Sequence, residues 1–113
     1  MKDIKKYLDT EVTVKMDRQL GAKHPKWGFV YMLNYGYIPN TISGDGEEID
    51  AYVVGEFKPV EEFTGRVIAI IRRTNDNDDK LVVAPNGVNY TDDQLVALTE
   101  FQERFFKSVI IRE

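Results

Sequence analysis

Gly65-Arg66-Val67-Ile68-Ala69-Ile70-Ile71-Arg72-Arg73-Thr74-Asn75-Asp76-Asn77-Asp78-Asp79-Lys80-Leu81-Val82-Val83-Ala84-Pro85 is the stretch whose reading decides the fold. Its two runs of mostly branched aliphatic residues, 67–71 and 81–83, are short and are parted by a polar, turn-forming segment, so they predict two β-strands. Outward from this pair, Val12-Thr13-Val14-Lys15-Met16, Gly28-Phe29-Val30-Tyr31-Met32, the segment Asp50 to Val54, and Val109-Ile110-Ile111 read the same way. Gly21, Lys23-His24-Pro25, Pro39-Asn40, Ser43-Gly44-Asp45-Gly46, Lys58-Pro59 and Pro85-Asn86-Gly87 supply turns between them. Many short strands at close spacing predict a sandwich or a small closed barrel. One helix is predicted, because Thr91-Asp92-Asp93-Gln94 is a capping box and Leu95, Leu98, Phe101 or Gln102, and Phe105 follow at helical steps to about Lys107. The expected fold is therefore mainly β with one C-terminal α-helix packed against the strands (α+β).

The 113 residues suit a single domain over 1–113. With 15 Lys and Arg against 19 Asp and Glu the formal charge is −4, which argues against nucleic acid and anionic membranes as partners. No run approaches 18 apolar residues, and the first residues lack the apolar core of a secretion signal, so a cytoplasmic protein is expected. The absence of cysteine removes disulfides, thiolate zinc sites, iron–sulfur clusters and cysteine nucleophiles. A single histidine, His24, removes multi-histidine metal sites. Metal chemistry would have to run on oxygen ligands, which points to Mg²⁺, Mn²⁺ or Ca²⁺.

The acids are unevenly placed. Asp45, Glu47, Glu48 and Asp50 crowd one stretch, and Asp76, Asp78 and Asp79 another. With period two, Asp50 shares a face with Tyr52 and Val54, opposite Ile49, Ala51 and Val53, and points inward if that face lines a barrel mouth. Carboxylates forced into one cavity repel and raise each other's pKa unless divalent cations neutralise them. Taken singly, an acidic loop run is more often a solvated turn. Neither stretch is an EF-hand, because Asp76-x-Asp78-x-Lys80 breaks the ligand alternation. Read without further context, His24 is a turn residue, Trp27 packs in a core or hairpin, and Tyr31, Tyr35 and Tyr37 are aromatic strand packing.

The order Tyr35-Gly36-Tyr37-Ile38-Pro39, then Asp45-Gly46-Glu47-Glu48-Ile49-Asp50, then Asp78-Asp79-Lys80-Leu81-Val82-Val83-Ala84-Pro85 resembles the signature of the family I soluble inorganic pyrophosphatases. Their pattern is Tyr-Gly-aromatic-Ile-Pro, Asp-x-Asp-x-x-Asp, and Asp-x-Lys before an apolar strand and Pro. Phe105-Phe106-Lys107 is a weaker echo of the family's helical Tyr-Lys pair. The resemblance implies a small OB-like five-stranded closed barrel and Mg²⁺-dependent hydrolysis of inorganic diphosphate to two phosphates by a metal-activated water, with Mn²⁺ as a possible substitute. It implies Asp45, Glu47, Asp50, Asp78 and Asp76 as metal ligands, with Glu47 also the catalytic base. Lys80 and Tyr35 would act at the reacting phosphate, and Lys107, Tyr31, Lys23 and Lys15 would join them in holding the substrate. A homo-oligomer is implied as well.

The sequence departs from the pattern at Glu47, where the family has Asp, at Asn75, aligned with a further Asp, and at Phe106, in place of Tyr. The segment before Tyr35 is shorter than in the family. Two other readings use the same barrel: a non-catalytic metal- or phosphate-binding module, and a hydrolase of another phosphoanhydride such as a nucleotide.

Overall fold

The computed structural model describes residues 4–43, 46–75 and 78–113. After a short 3₁₀ turn, Ile4–Tyr7, come strands β1 (Glu11–Arg18), β2 (Asn34–Ile38), β3 (Ile49–Val53), β4 (Glu62–Arg73) and β5 (Lys80–Ala84). Helix α1 (Asp92–Glu103) and the last strand, β6 (Ser108–Ile111), follow. The strands neighbour one another in the order β1-β2-β3-β5-β4, and β4 pairs back onto β1, which closes a five-stranded barrel. β6 extends the sheet along the far half of β4. The β3–β5 pair is parallel and the others are antiparallel.

All five barrel strands contribute to one apolar cluster, with Val14, Ile38, Ala51, Val67, Ile70 and Val83 among its members, and this cluster fills the barrel. A second cluster lies outside the barrel under α1, where Tyr52, Val54, Ala69, Ile71 and Val82 meet Leu95 and Phe101 of the helix. The alternation read in β3 holds, since Ala51 and Val53 fall in the first cluster and Tyr52 and Val54 in the second. The face that carries Asp50 is thus the outer one beneath the helix, not the barrel interior.

In β4 the register slips by one residue at Ile68, so Val67 and Ile70 face the interior while Ala69 and Ile71 face the helix. Such a bulge reverses the facing of every later side chain and turns Arg73 outward. A second bulge, at Asp17 in β1, falls between the pairs Met16–Gly36 and Arg18–Tyr35.

The predicted strand at 28–32 is a loop that makes a single bridge, Lys23 with Val30. Its alternate aromatics have no strand to pair with and instead turn Phe29 and Tyr31 toward the helix-side cluster. Residues 34–38, read as a motif, form strand β2. The capping box is present: the Gln94 amide donates to Thr91 Oγ1 at 3.1 Å, and the Thr91 amide to Gln94 Oε1 at 2.8 Å. The helix ends at Glu103 rather than Lys107, because the Lys107 backbone is tied to the end of β4. Its carbonyl accepts from the Thr74 amide at 2.7 Å, and its N–H donates to Asn75 Oδ1 at 3.3 Å. Among the described residues no helix is long and apolar enough to cross a membrane.

Closure brings β1 against β2 so tightly that a Cβ on Gly36 would lie 1.9 Å from the Lys15 carbonyl oxygen. Backbone cannot yield as a flexible side chain can, so Gly36→Ala is expected to destabilise the fold by at least about 3 kcal/mol. Phe57→Ala, at a side chain 77% exposed, should change it by less than about 0.5 kcal/mol. Urea denaturation of the two variants checks the contrast.

Candidate active site

β3 and β5 run parallel with Asp50 opposite Lys80, and β4 runs antiparallel to β5 with Ile71 opposite Lys80. The outer face at this level therefore carries Asp50, Lys80 and, one step further along β4, Arg73. The ammonium of Lys80 is almost wholly buried and donates to Asp50 Oδ2 at 2.7 Å and to Asp78 Oδ2 at 2.6 Å. It also lies 5.5 Å from the centroid of the Tyr35 ring.

Arg73 extends the network toward the helix. Its guanidinium forks onto Glu103, with Nε to Oε1 at 3.1 Å and Nη2 to Oε2 at 2.8 Å, and Nη1 stands 3.5 Å from Asp78 Oδ2. Glu103 Oε2 also accepts from the Tyr52 hydroxyl at 2.6 Å. Gln102 Nε2 donates to that hydroxyl at 2.7 Å, while Gln102 Oε1 accepts from Tyr31 at 2.8 Å. Among the described residues every buried side-chain polar atom has a partner.

Burial pulls the Arg73 pKa down, but hydrogen bonds and charge from Glu103 outweigh it and hold the guanidinium above its ordinary value. Burial pushes the phenols of Tyr35 and Tyr52 well up, reinforced by Asp50 and Glu103 respectively, so both stay protonated. The Asp78 carboxyl is raised by burial against the opposing pull of Lys80. At the β1 bulge, Asp17 is raised by burial and then by the charge of Asp50.

A cavity of about 550 Å³ opens over this charged floor. Asp50, Asp78, Lys80 and Arg73 line it together with Tyr31, Tyr35, His24 and further aromatic residues. Of the residues singled out from sequence, the structure brings Asp50, Asp78, Lys80, Tyr31 and Tyr35 together here. Lys15 lies on β1 opposite Tyr37, which in turn pairs with Asp50, and its side chain is exposed. Glu47 sits exposed in the turn before β3, its carbonyl accepting from the Ser43 amide at 2.7 Å. Lys23 and Lys107 are not brought in: Lys23 is exposed beside the loop bridge, and Lys107 lines a separate cleft with Ser108 and Ile110. Asp45 and Asp76 lie outside the described residues. Trp27, expected to pack in a core or a hairpin, is exposed and lines the cavity.

Arg73, Glu103, Gln102 and Tyr52 are the contributors that pattern reading passed over. The available signal was a Gln-Glu pair on the buried side of an otherwise apolar helix stripe.

The donors suit a hard divalent cation in kind: Asp50 and Asp78 are carboxylates that already converge on one positive charge, the Lys80 ammonium. Among the described residues no three His, Asp or Glu side chains are grouped closely enough to complete a metal site.

Solved structures share this fold. The inorganic pyrophosphatase of Helicobacter pylori superposes with a TM-score of 0.71 over 91% of this chain and 85% of its own, at 16% identity. That of Ehrlichia chaffeensis gives 0.69 over 89% and 84%, at 18% identity. In sequence, the profile of the inorganic pyrophosphatase family matches residues 3–110, and the chain belongs to that family. The inorganic pyrophosphatase of Saccharolobus solfataricus is 33% identical over 90 residues, which are 76% of this chain and 48% of the relative. That of Ralstonia nicotianae is 33% identical over 82 residues, 66% and 47%. The chain thus spans about half the length of the curated relatives it matches.

Arg73 and Glu103 are 5% and 7% exposed, so removing one partner strands a buried charge. Arg73→Met should cost about 3–5 kcal/mol, and Arg73→Met with Glu103→Leu should recover much of it. Denaturant titration of the single and double variants tests this. For Asp17 the folded-state pKa is raised, so the folded state keeps a proton that the unfolded chain releases above pH 3.8. Stability from this group is therefore present at low pH and is lost as pH rises through the raised value. In metal-free buffer Asp17→Asn should melt above the parent at pH 7, and the difference should vanish below pH 3.8.

Proposed function

We propose that this chain hydrolyses inorganic diphosphate, P₂O₇⁴⁻ + H₂O → 2 HPO₄²⁻, in a single domain over 1–113 that works in the cytoplasm, where a cysteine-free chain loses nothing to reducing conditions. The observation that carries the reading is the buried Lys80 ammonium held between Asp50 and Asp78 on the floor of a cavity that also receives Arg73. Mg²⁺, or Mn²⁺ in its place, would be held by Asp50 and Asp78, with Asp45, Glu47 and Asp76 as further ligands. When bound, the metal supplies charge neutralisation at phosphate and lowers the pKa of coordinated water.

The chain's own groups do the positioning. An ammonium has three N–H donors, and two of those of Lys80 are committed to carboxylates, which leaves one for a phosphate oxygen. Arg73, fixed by Glu103, adds a permanent positive charge beside Asp78, where negative charge builds as the P–O bond breaks. Tyr35 keeps its proton, because burial and the charge of Asp50 both raise its phenol, so it meets that carboxylate as a neutral hydroxyl. Glu47 is the base that takes a proton from the attacking water, its extra methylene lengthening the reach of the family's Asp. Tyr31, at the cavity, would assist substrate capture, whereas Lys15, Lys23 and Lys107 stand outside the cavity lining, and assembly with further copies of the chain belongs to the same reading.

Phosphate release from diphosphate should require Mg²⁺ or Mn²⁺, stop with chelator, and fall at least about 100-fold in Asp50→Asn, which keeps the size of the side chain but removes its charge. Turnover unaffected by that change, or none in the parent with either metal, would overturn the proposal.

A further inference from the structure

The cavity lining falls into two unlike groups. Diphosphate is all charge, and the floor of Asp50, Asp78, Lys80 and Arg73 is the part that suits it. Much of the remaining lining is a continuous run of rings: His24 lies 4.9 Å from Phe29, and Phe29 lies 5.7 Å from Phe105 in a stacked arrangement. Trp27 stands at the end of this run, 6.4 Å from His24. Phe29 is spoken for by the core under α1, but Trp27 is 64% and Phe105 55% exposed while both line the cavity. Their contacts with His24 and Phe29 leave more than half of each of these two residues uncovered.

The loop that carries Trp27 is a fixed turn. His24 Nδ1 accepts from the backbone N–H of both Lys26 and Trp27 at 3.1 Å, and the His24 carbonyl accepts from the Gly28 amide at 3.0 Å. Gly28 has a φ of +77°, which favours glycine. Lys26 adds an ammonium 4.8 Å from the Trp27 ring centroid. A volume of about 550 Å³ falls in the range of sites for organic ligands, and wet aromatic faces beside fixed polar groups are the features such sites combine.

We infer that the site accepts a nucleoside polyphosphate, with its phosphoanhydride on the charged floor and its base stacked on Trp27 and Phe105. The inference rests on the proposed phosphoanhydride chemistry of the floor. Water adds to the terminal phosphorus, the P–O–P bond breaks, and the bridging oxygen leaves with the shortened nucleotide. A nucleoside diphosphate thus gives the monophosphate, inorganic phosphate and one proton.

Trp27 is the only tryptophan of the chain, so its fluorescence reports on the wall directly. With Mg²⁺ present, the protein is titrated with adenosine 5′-(α,β-methylene)diphosphate and, separately, with methylenediphosphonate, which carries the same phosphate mimic without a base. Stacking predicts that the nucleotide analogue quenches Trp27 and binds about 10- to 100-fold more tightly. Phe105→Ala and Phe105→Leu, the second retaining apolar volume without a ring, should both erase most of that preference. Equal affinities, or a preference untouched in both variants, overturn the inference. So does concentration-dependent self-association in sedimentation that Phe105→Ala abolishes, since the wall would then belong to a second copy of the chain. Diphosphate turnover with equal affinities overturns this inference alone. A retained preference without any turnover overturns the proposed hydrolysis and its nucleotide step, while the base-stacking contact stands.

Discussion

The guanidinium of Arg73 forks onto the carboxylate of Glu103, and this buried pair holds the C-terminal end of helix α1 against the barrel. Everything on the helix side of the cavity is referred to it. Glu103 accepts a hydrogen bond from the Tyr52 hydroxyl, Tyr52 orders Gln102, and Gln102 holds Tyr31, so a strand, a helix and a loop share one hydrogen-bond chain. The other end of Arg73 approaches Asp78, and through it Lys80 and Asp50. Two cations and three carboxylates at close quarters tolerate burial because each charge has an opposite neighbour, and losing one member would expose the desolvation cost of the rest.

The strands with a plain period were legible from residues alone. The period of two in β3 placed Asp50 with Tyr52 and Val54, and the capping box at Thr91 located the start of the helix. What pattern reading could not supply was phase. Counted without interruption from Val67, Arg73 falls on the same face as the barrel core, and only the extra residue at Ile68 brings it to the cavity. Residues 28–32 have strand-like composition, yet the strand partners for them are already taken, and their rings serve the helix-side cluster and the cavity wall. Trp27 reads as core or hairpin packing because composition carries no information about which side of a turn faces water. The resemblance puts Lys107 at the site on a helix continued to that residue, but the Thr74 amide and the side-chain oxygen of Asn75 hold the Lys107 backbone and end the helix before it.

Three residues of the charged floor, Asp50, Asp78 and Lys80, belong to the family pattern as well, and the two observations reinforce one another. The aromatic wall is a separate matter, since it draws on loop 24–28 and on the turn after α1, outside the Tyr35–Asp50 and Asp78–Pro85 stretches. A binding surface assembled from two turns can vary while the barrel beneath it stays as it is.

The bulge at Ile68 works as a change of phase within a single strand. Before it, β4 serves the barrel with one set of alternate residues, and after it with the other, so one element contributes both an apolar core and an arginine at the cavity. Adding or deleting a single residue there would exchange those two faces at once. For this strand, insertions and deletions are therefore a more powerful route to new site chemistry than point substitutions, and a more dangerous one for the barrel.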